Sequence, residues 1–422
     1  MKKTALSIFL GFIFTMLYGQ EGLYDEDQIP PYSLPDILKR SNGQTVHSVA
    51  EWERWGRPET QMLFEKNVYG KTLGEDLFTY EVTSEDTQAI HGTAIRKEVT
   101  IYLSSDKSKK IALLIYLPKR NKPVPVFLGL NFIGNQAIYP DTGITISKQW
   151  TAFGGKPGFT ESGYATEESR GVRSSRWPVE LILSKGYGLA TAYYGDVELD
   201  KPTIDQSEES FHKWFFEQTG KKKEADSWGA IGVWAWELSK ALDYLFEDAT
   251  IDAQRVAVIG HSRLGKAALW AAAQDKRFAM AIANNSGEGG AAITRRRFGE
   301  TIERINKSFP HWFCDNFKQF NGNEDNLPVD FHQLLGLVAP RPLYVASASD
   351  DLWADPLGEY LSLYHAGPVY QLYGQETLSE ADPPPVGKAV TKGNLGYHIR
   401  PGKHDITVYD WTKFLDFADK HL

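Results

Sequence analysis

Cysteine is almost missing from this chain. Among 422 residues, Cys314 is the only one. A lone cysteine has no partner for an intrachain disulfide, and it excludes a metal site built from several thiolates. The ten histidines are scattered and contain no H-E-x-x-H pattern. We therefore predict neither a bound metal nor any other cofactor.

Basic residues are too few and too dispersed to form a nucleic-acid-binding surface. The chain has 46 Lys and Arg against 54 Asp and Glu, which gives a formal net charge of −8, and it has no basic stripe. A surface of this sign repels a phosphate backbone, so nucleic acid is excluded as a partner. Aromatic residues are plentiful by contrast, with 12 Trp, 20 Tyr and 22 Phe. Core packing accounts for most of them, and surfaces that face carbohydrate account for others.

Long apolar runs are also absent, except for a short one at the N-terminus. Met1-Lys2-Lys3 precedes an apolar run from Ala5 to Leu17 and the small residue Gly19. This order is typical of a signal peptide, which we assign to residues 1–19; an N-terminal membrane anchor is the alternative. We expect a mature chain that starts near Gln20, is secreted or periplasmic, and is free of the membrane once the signal is removed.

Residues 20–422 contain no linker, so we predict one domain, with irregular insertions near residues 137–176 and 374–394. Long irregular loops in an enzyme usually form the rim or lid of a site, and tolerated surface insertions are the alternative. Short apolar runs alternate with helix-like segments, which predicts an α/β fold: a mostly parallel central sheet flanked by helices on both faces. The predicted strands are Lys110–Leu117, Val124–Asn131, Gly188–Tyr194, Arg255–Ile259, Phe278–Ala283, Leu343–Ala348 and Val369–Tyr373, and the predicted helices include Trp177–Ser184, Trp228–Phe246 and Val408–Leu422.

The most informative motif is Gly260-His261-Ser262-Arg263-Leu264-Gly265-Lys266, which joins the predicted strand ending at Ile259 to the helix-forming run from Ala267 to Ala273. A strand that breaks sharply into a helix lifts one side chain, here Ser262, above the sheet. The unpaired N–H groups at the helix start then face a developing oxyanion. This is typical of the nucleophile elbow of an α/β hydrolase. The motif departs from Gly-x-Ser-x-Gly in one place, because the second glycine comes one residue late.

Two other interpretations of this motif remain open. Gly260, Gly265 and Lys266 also fit the G-x-x-x-x-G-K pattern of a phosphate-binding loop. Against it, Ala267 stands where such a loop needs Ser or Thr to hold Mg²⁺, and an exported protein meets little nucleotide. A structural turn with a solvated serine is the other interpretation.

A serine nucleophile needs a histidine to take its proton and a carboxylate to fix that histidine, in the chain order Ser, acid, His. We favour His404, in a glycine-containing loop before the last predicted helix, over His398 and His365. For the acid, Asp350 and Asp351 are candidates because both follow a predicted strand at its carboxyl end. Of the two we favour Asp351. The nearby Asp355 precedes Pro356 and is a candidate helix cap.

Several stretches together resemble the glucuronoyl esterases of carbohydrate esterase family 15, in particular its bacterial branch. The most specific is Ser262-Arg263-Leu264-Gly265-Lys266, because ordinary esterases place neither arginine nor lysine there. The others span nearly the whole predicted mature chain: Trp55-Gly56-Arg57-Pro58-Glu59, Gly129-Leu130-Asn131, Arg176-Trp177-Pro178-Val179-Glu180, Gly188 to Asp196, Asp351-Leu352-Trp353-Ala354-Asp355-Pro356 and Gly402-Lys403-His404-Asp405. The resemblance implies an α/β-hydrolase fold and hydrolysis of the ester between 4-O-methyl-glucuronic acid of glucuronoxylan and lignin alcohols.

The resemblance also implies roles for four further residues. Arg263 would add a charge-assisted donor to the oxyanion hole, with an ion pair to a surface carboxylate as the alternative. Lys266, Glu300 and Trp353 would hold the hydroxyl and ether groups of the sugar. Their respective alternatives are a solvated lysine, a helix-surface acid that balances the preceding arginines, and an indole packed in the core.

One position departs from the family pattern. Many members carry the triad acid as a glutamate soon after the elbow, where this chain has Asn285. A neutral amide does not stabilise an imidazolium as a carboxylate does, so the acid role passes to Asp351. Glu288, three residues beyond Asn285, remains a rival for that role.

Two other functions stay in competition with glucuronoyl ester hydrolysis. One is a different carbohydrate esterase, of the acetyl-xylan esterase type, which has the triad but lacks a uronate clamp. The other is a non-catalytic sugar-binding protein on the same fold, which Asn285 would permit. For the enzyme, the expected partner is the glucuronoxylan–lignin ester substrate, and the expected state is a monomer.

Overall fold

The computed structural model describes residues 22–73, 78–204 and 207–422, so the predicted signal peptide, residues 1–19, lies outside the described residues. In the described part of the chain, ten strands form one sheet in the order β1-β2-β3-β5-β4-β6-β7-β8-β10-β9. The strands are β1 Thr79–Gln88, β2 Ala94–Tyr102, β3 Lys110–Pro118, β4 Val124–Asn131, β5 Gly188–Tyr193, β6 Ile251–His261, β7 Met280–Asn284, β8 Leu343–Ala348, β9 Lys388–Lys392 and β10 Leu395–Arg400.

The six central strands, from β5 to β10 in the sheet order, are parallel to one another. The three strands at one end, β1 to β3, and the short β9 at the other end pair antiparallel with their neighbours. Parallel strands end at a common edge, so the loops after β6, β7, β8 and β10 meet there. This edge carries the candidate residues from three distant parts of the sequence.

Helices cover both faces of the sheet and give a three-layer α/β-hydrolase fold. They are α1 Val49–Glu51, α2 Arg57–Phe64, α3 Ala89–Gly92, α4 Val179–Ser184, α5 Phe211–Thr219, α6 Ala230–Glu247, α7 Arg263–Gln274, α8 Ile302–Ser308, α9 Phe331–Gly336, α10 Pro356–Leu372 and α11 Val408–His421. Side chains of α6, α7, α9 and α10 share one core with one face of the sheet, while α4 and α11 share a second core with the other.

The strand β6 illustrates why the central strands are apolar throughout. Val256 and Val258 are buried in the core with α6 and α7, whereas Ala257 and Ile259 are buried in the core with α4 and α11. Successive side chains of a strand point to opposite faces, so a strand covered on both faces needs apolar residues at every position. The near-continuous apolar run before Ser262 therefore predicts that β6 lies in the centre of the sheet.

One predicted strand is wrong. The run Val369–Tyr373 is not a strand; its first four residues form the last turn of α10, with Val369 and Tyr370 buried. A short apolar run fits a buried helix as well as a buried strand, and periodicity does not separate the two. The strand that precedes the His404 loop is β10, which contains Gly396 and the buried His398 and carries no strong strand signal in the sequence.

The two predicted insertions differ in structure. No strand or α-helix of the described residues falls within 137–176, where the chain forms turns and short 3₁₀ segments. Residues 374–394 include β9, which pairs with β10 at the sheet edge. Across the described ranges, none of the helices combines the length and the apolar character needed to cross a bilayer.

Candidate active site

Ser262 stands at the junction between β6 and α7 in a strained backbone conformation. Its φ of 58° and ψ of −132° lie in a region that L-amino acids rarely adopt. The turn is held from outside, because the Ser262 N–H donates to the carbonyl of Asn284 at the end of β7, at 2.9 Å. Its own carbonyl accepts from the Gly265 N–H at 2.8 Å, inside the first turn of α7. Such a local strain is typical of a nucleophile elbow.

A close backbone contact explains why the first small residue of the motif, Gly260, has no side chain. A Cβ at this position would lie 1.9 Å from the carbonyl oxygen of Leu264, a contact that only a backbone shift relieves. At Gly265 a Cβ would lie 3.0 Å from the Cβ of Ser286. Because Gly265 has no side chain, the loop after β7 packs closely against α7 at this position. Leu264, which stands where the motif usually has its second glycine, is buried in the core.

His404 is hydrogen-bonded to Asp351. Its Nδ1 lies 2.6 Å from Asp351 Oδ2. The carboxylate is only 5% exposed, whereas the imidazole is 40% exposed. Because a carboxylate accepts hydrogen bonds only, Nδ1 carries the hydrogen, and the neutral imidazole keeps Nε2 unprotonated as a base.

Asn285 supports this pair. Its Nδ2 donates to the same oxygen, Asp351 Oδ2, at 2.8 Å. Asn285, the residue that departs from the family pattern, thus orients the carboxylate of Asp351. No sequence signal predicts this contact, because the two residues lie 66 positions apart.

The rival acids are engaged elsewhere. Asp350 accepts a hydrogen bond from the neighbouring Ser349 hydroxyl at 2.8 Å. Glu288 is buried and accepts from the Thr294 hydroxyl at 2.8 Å, and burial raises its pKa well above the ordinary range for a carboxyl. Asp355 caps α10, with its Oδ1 accepting from the Gly358 N–H at 2.9 Å.

The rival histidines also lie in other surroundings. His398 is fully buried in β10, with Nε2 2.8 Å from Asp410 and Nδ1 3.1 Å from the hydroxyl of Tyr344. His365 lies in α10, where its ring packs against His332. Neither borders the cavity that contains Ser262.

Arg263 is held between a carboxylate and aromatic rings. Its Nη1 donates to Asp200 Oδ2, and its guanidinium carbon lies 4.6 Å from the ring centre of Trp312 and 5.2 Å from that of Phe309. The partner carboxylate is 5% exposed, so this ion pair is not the solvated surface pair considered from the sequence. Burial alone would raise the pKa of Asp200, but hydrogen bonds from His311 and Trp312 and the charge of Arg263 lower it to about 2.

Lys266 is buried, which excludes the interpretation as a solvated lysine. Its Nζ donates to the carbonyls of Ser286 at 2.7 Å and Glu288 at 2.5 Å, and it lies 3.6 Å from Glu300 Oε2. The ammonium therefore fastens the loop after β7, and no phosphate-binding loop is free to form around it. Glu300 is buried as well, so it is not a helix-surface acid, and burial raises its pKa.

All seven candidate residues border one cavity of about 350 Å³: Ser262, Arg263, Lys266, Glu300, Asp351, Trp353 and His404. Trp353 is 41% exposed, and its backbone carbonyl accepts from the Glu300 N–H at 3.0 Å. Asn285, Phe309 and Trp312 complete much of the wall. The cavity thus combines a serine, a histidine–carboxylate pair, a cation and a flat aromatic surface.

His261 is a neighbour that sequence reasoning passed over. The ring centres of His261 and His404 are 4.6 Å apart, and Asn284 Nδ2 lies 2.8 Å from His261 Nδ1. Burial lowers the pKa of His261 well below its ordinary value, so the ring is neutral and adds no charge beside His404. The described residues include no group of three or more His, Cys, Asp or Glu arranged to hold a metal ion.

Comparison with known proteins gives consistent matches. A family model described as fungal glucuronyl esterase matches residues 180–374. The chain is 45% identical over 401 residues to a carbohydrate esterase from an unknown prokaryotic organism, and the alignment covers 94% of this chain and 92% of the relative. It is 30% identical over 255 residues to the 4-O-methyl-glucuronoyl methylesterase of Phanerochaete carnosa, covering 56% of this chain and 61% of that protein.

A solved structure agrees over nearly the whole length. The glucuronoyl esterase from Solibacter usitatus superposes with a TM-score of 0.88 at 44% sequence identity. The match covers 94% of this chain and 99% of that one. The similarity therefore extends over nearly the whole fold rather than over one segment of it.

Proposed function

The chain belongs to carbohydrate esterase family 15, the glucuronoyl esterases, and on that premise we propose that Ser262, His404 and Asp351 hydrolyse its ester substrate as a catalytic triad. The activity is hydrolysis of glucuronoyl esters. The observation that carries the assignment of residues is the 2.6 Å hydrogen bond between His404 and Asp351 at the rim of the cavity that Ser262 also borders.

The reaction proceeds in two steps. His404 Nε2 takes the proton of the Ser262 hydroxyl, whose oxygen attacks the ester carbonyl and forms a tetrahedral oxyanion. The intermediate collapses to a glucuronoyl-serine ester, and His404 passes the proton to the departing alcohol. A water molecule activated by the same imidazole then cleaves this ester, which frees the uronate and restores Ser262. Asp351 stabilises the imidazolium that forms in each step.

Arg263 is the proposed electrostatic partner of the oxyanion. It follows Ser262 directly and borders the same cavity, at the N-terminus of α7, where unpaired N–H groups also favour negative charge. Removing one oxyanion donor in other hydrolases costs roughly 2.7–4 kcal/mol of transition-state stabilisation. When Arg263 is removed, we expect a loss of transition-state stabilisation of this size, which is measured as a fall in kcat.

Lys266, Glu300 and Trp353 are the proposed contacts to the sugar. Glu300 offers an acceptor for a hydroxyl, and the exposed face of Trp353 suits a pyranose ring. Two of the three N–H groups of Lys266 are taken by backbone carbonyls, and Glu300 Oε2 lies 3.6 Å from the same nitrogen, so a sugar hydroxyl would bind between the lysine and the glutamate.

We also propose a specific substrate and a location for the enzyme. The esterified acid is the 4-O-methyl-glucuronic acid of glucuronoxylan, and the departing alcohol is a lignin alcohol. An exported enzyme would meet this insoluble substrate outside the cell, in agreement with the leader-like residues 1–19.

The test compares esters of different acids. Purified protein should hydrolyse methyl and benzyl glucuronate at least tenfold faster, in kcat/KM, than simple acetyl esters or acetylated xylan. Equal rates would remove the uronate specificity and favour the acetyl-xylan esterase alternative. The matched control is Ser262→Ala, which should abolish turnover of every ester. Unchanged turnover in that variant would overturn the serine mechanism and favour the non-catalytic sugar-binding interpretation.

A further inference from the structure

Two ion pairs border the cavity, and each joins a cation to a buried carboxylate. Arg263 pairs with Asp200, and Lys266 pairs with Glu300. Side-chain exposure is 5% for Asp200 and 6% for Glu300, so bulk water screens neither charge. Both cations border the cavity that Ser262 also borders: Arg263 follows Ser262 directly, and Lys266 lies one helical turn from it.

The carboxylate of Asp200 is fully occupied by donors. Its Oδ1 accepts from His311 Nε2 at 2.8 Å and from Trp312 Nε1 at 2.7 Å. Its Oδ2 accepts from Arg263 Nη1 and from the Tyr194 hydroxyl, the latter at 3.2 Å. A carboxylate has about four acceptor sites, so this one has none left for a sugar hydroxyl. Its effect on a ligand must therefore pass through Arg263.

The two pairs leave the cavity without excess positive charge. Asp200 is ionised at any working pH, since its pKa is lowered to about 2, and it balances Arg263. For Lys266 and Glu300, burial lowers the pKa of the lysine and raises that of the acid, but a proton moved between the two leaves their summed charge at zero. Asp351, which also borders the cavity, adds a negative charge that His404 balances only when its ring is protonated.

The reaction changes the charge of the ligand in this cavity. Under the proposed function, on which this inference rests, a neutral ester enters and an anionic uronate remains after hydrolysis. The new carboxylate forms at the carbon that Ser262 attacks, beside Arg263. An arginine without a counter-ion binds a carboxylate strongly, through paired and charge-assisted hydrogen bonds. An unbalanced Arg263 would thus hold the product.

We propose that Asp200 makes the cavity select the neutral ester over the anionic acid, by neutralising Arg263 and fixing its guanidinium against Trp312. Asp200 is a positioning residue, because it acts through Arg263 without touching the substrate. The arrangement keeps an N–H donor available for the transient oxyanion, while the product carboxylate meets a paired cation and leaves.

The experiment measures the ratio of two dissociation constants on a protein that cannot turn over. In the Ser262→Ala background, calorimetry gives the affinity for methyl glucuronate and for glucuronate. With Asp200 present, the ester should bind at least as tightly as the acid. In the double variant that adds Asp200→Asn, the ratio should shift about tenfold toward the acid, because one buried negative charge beside Arg263 is gone. General damage to the site weakens both ligands together and leaves the ratio unchanged.

Trp312→Phe in the same background is the matched control. It removes one hydrogen bond to Asp200 but keeps the charge of Asp200 and a ring beside Arg263. Its ratio should stay within about twofold of the parent. An equal shift in both variants would overturn the charge argument, as would no shift in the Asp200→Asn variant.

A failure of the proposed function and a failure of the inference about Asp200 give different experimental results. If the wild-type protein does not hydrolyse methyl glucuronate, the proposed function fails, whatever the ratio. If it hydrolyses the ester but its Ser262→Ala variant binds glucuronate several-fold more tightly than methyl glucuronate, the inference alone fails. That second comparison uses only the Ser262→Ala protein, so it decides the matter even if the Asp200→Asn protein does not fold.

Discussion

At the scale of single residues, burial and hydrogen bonding decide which carboxylate serves His404. Asp351, Asp350 and Glu288 are equivalent on chemical grounds, and two of them adjoin in the sequence. Asp351 alone of the three is hydrogen-bonded to the imidazole. Glu288 is buried and bonded to the Thr294 hydroxyl, and burial raises its pKa well above the ordinary range for a carboxyl. Its carboxyl is therefore engaged with Thr294, whereas the carboxyl of Asp351 is engaged with the imidazole.

Asp351→Asn should therefore reduce kcat on methyl glucuronate by a factor of roughly 10⁴, because an amide favours the wrong tautomer of His404 and no longer stabilises its charge. Steady-state kinetics at neutral pH measure this loss. The expected change in KM is small, since the role proposed for Asp351 is to orient and stabilise His404 and not to bind the sugar.

Glu288→Gln is the matched control, since an amide is close in shape to the carboxyl and can still accept from the Thr294 hydroxyl. It should keep kcat within about tenfold of the wild type, the range expected when one buried hydrogen bond is perturbed. A larger loss for Glu288→Gln than for Asp351→Asn would transfer the acid role to Glu288.

At the scale of elements, the turn between β6 and α7 carries strain that the surrounding structure supports. Ser262 has a φ of 58°, a value that costs a residue with a Cβ on the order of 1–3 kcal/mol. Glycine adopts such a conformation without a steric cost. The proposed nucleophile thus places a side chain at a position where stability favours none.

Ser262→Gly should raise the free energy of unfolding relative to Ser262→Ala by about 1 kcal/mol, although both variants lack the nucleophile. The flexibility that glycine adds to the unfolded chain limits the gain. Urea unfolding of the two variants side by side measures the difference. A glycine variant less stable than the alanine variant would mean that the turn stores no strain at this residue.

Glu359 links three elements beneath the site. From α10, its Oε1 accepts from the N–H groups of Ser286 at 2.7 Å and Gly287 at 3.0 Å, in the loop after β7. Its Oε2 accepts from the Ser347 hydroxyl of β8 at 2.6 Å. The residue is fully buried, and burial raises its pKa from 4.5 to about 7.

A pKa raised by folding means that the folded state binds the proton more tightly than the unfolded state. The contribution of Glu359 to stability is therefore complete below pH 4.5 and is lost as the pH rises through about 7. The loss amounts to roughly 3 kcal/mol between those limits. Glu359→Gln removes the titration, so the free energy of unfolding should fall less between pH 4.5 and pH 8 than in the wild type.

Urea unfolding at the two pH values measures both proteins. Glu168→Gln is the control, because Glu168 is exposed and its replacement should leave the pH dependence unchanged. An identical decline in the wild type and in Glu359→Gln would show that Glu359 is not the group that titrates.

At the scale of the whole molecule, the core alone must hold the fold, because the single cysteine, Cys314, is free and buried. The described chain spreads that core over both faces of one sheet. Nothing in the proposed site requires a second copy of the chain, since all seven candidate residues border one cavity within one chain.

We expect the mature protein to be a monomer in solution. Light scattering coupled to size-exclusion chromatography should give the mass of one chain at all concentrations between about 1 and 100 μM, the range over which weak assemblies dissociate. A dimer mass that persists on dilution would contradict this expectation.

Export of the chain is tested at its N-terminus. Expression of all 422 residues in a bacterium with a secretory pathway should give an exported product that begins near Gln20. Edman sequencing or intact mass measures the start. A product that retains Met1 and sediments with membranes would favour the N-terminal anchor instead.

The sequence by itself determined those features that depend on local pattern. The apolar run before Gly260, the small residues around Ser262 and the alanine-rich helix after it define the elbow, since a strand covered on both faces and a sharp turn leave few alternatives. The order serine, acid, histidine was expected from the α/β-hydrolase pattern, and the position of the candidates at one edge of the sheet was expected because the carboxyl ends of parallel strands meet there.

Only the tertiary structure decided what depends on contacts between distant segments. It shows Val369 at the end of a helix, because a short apolar run packs equally well in a helix or a strand. It brings Asn285 to Asp351 across 66 residues and Asp200 to Arg263 across 63. Burial, which raises the pKa of Glu288 and affects the strength of each ion pair, is a property of the packed chain, and no local pattern encodes it.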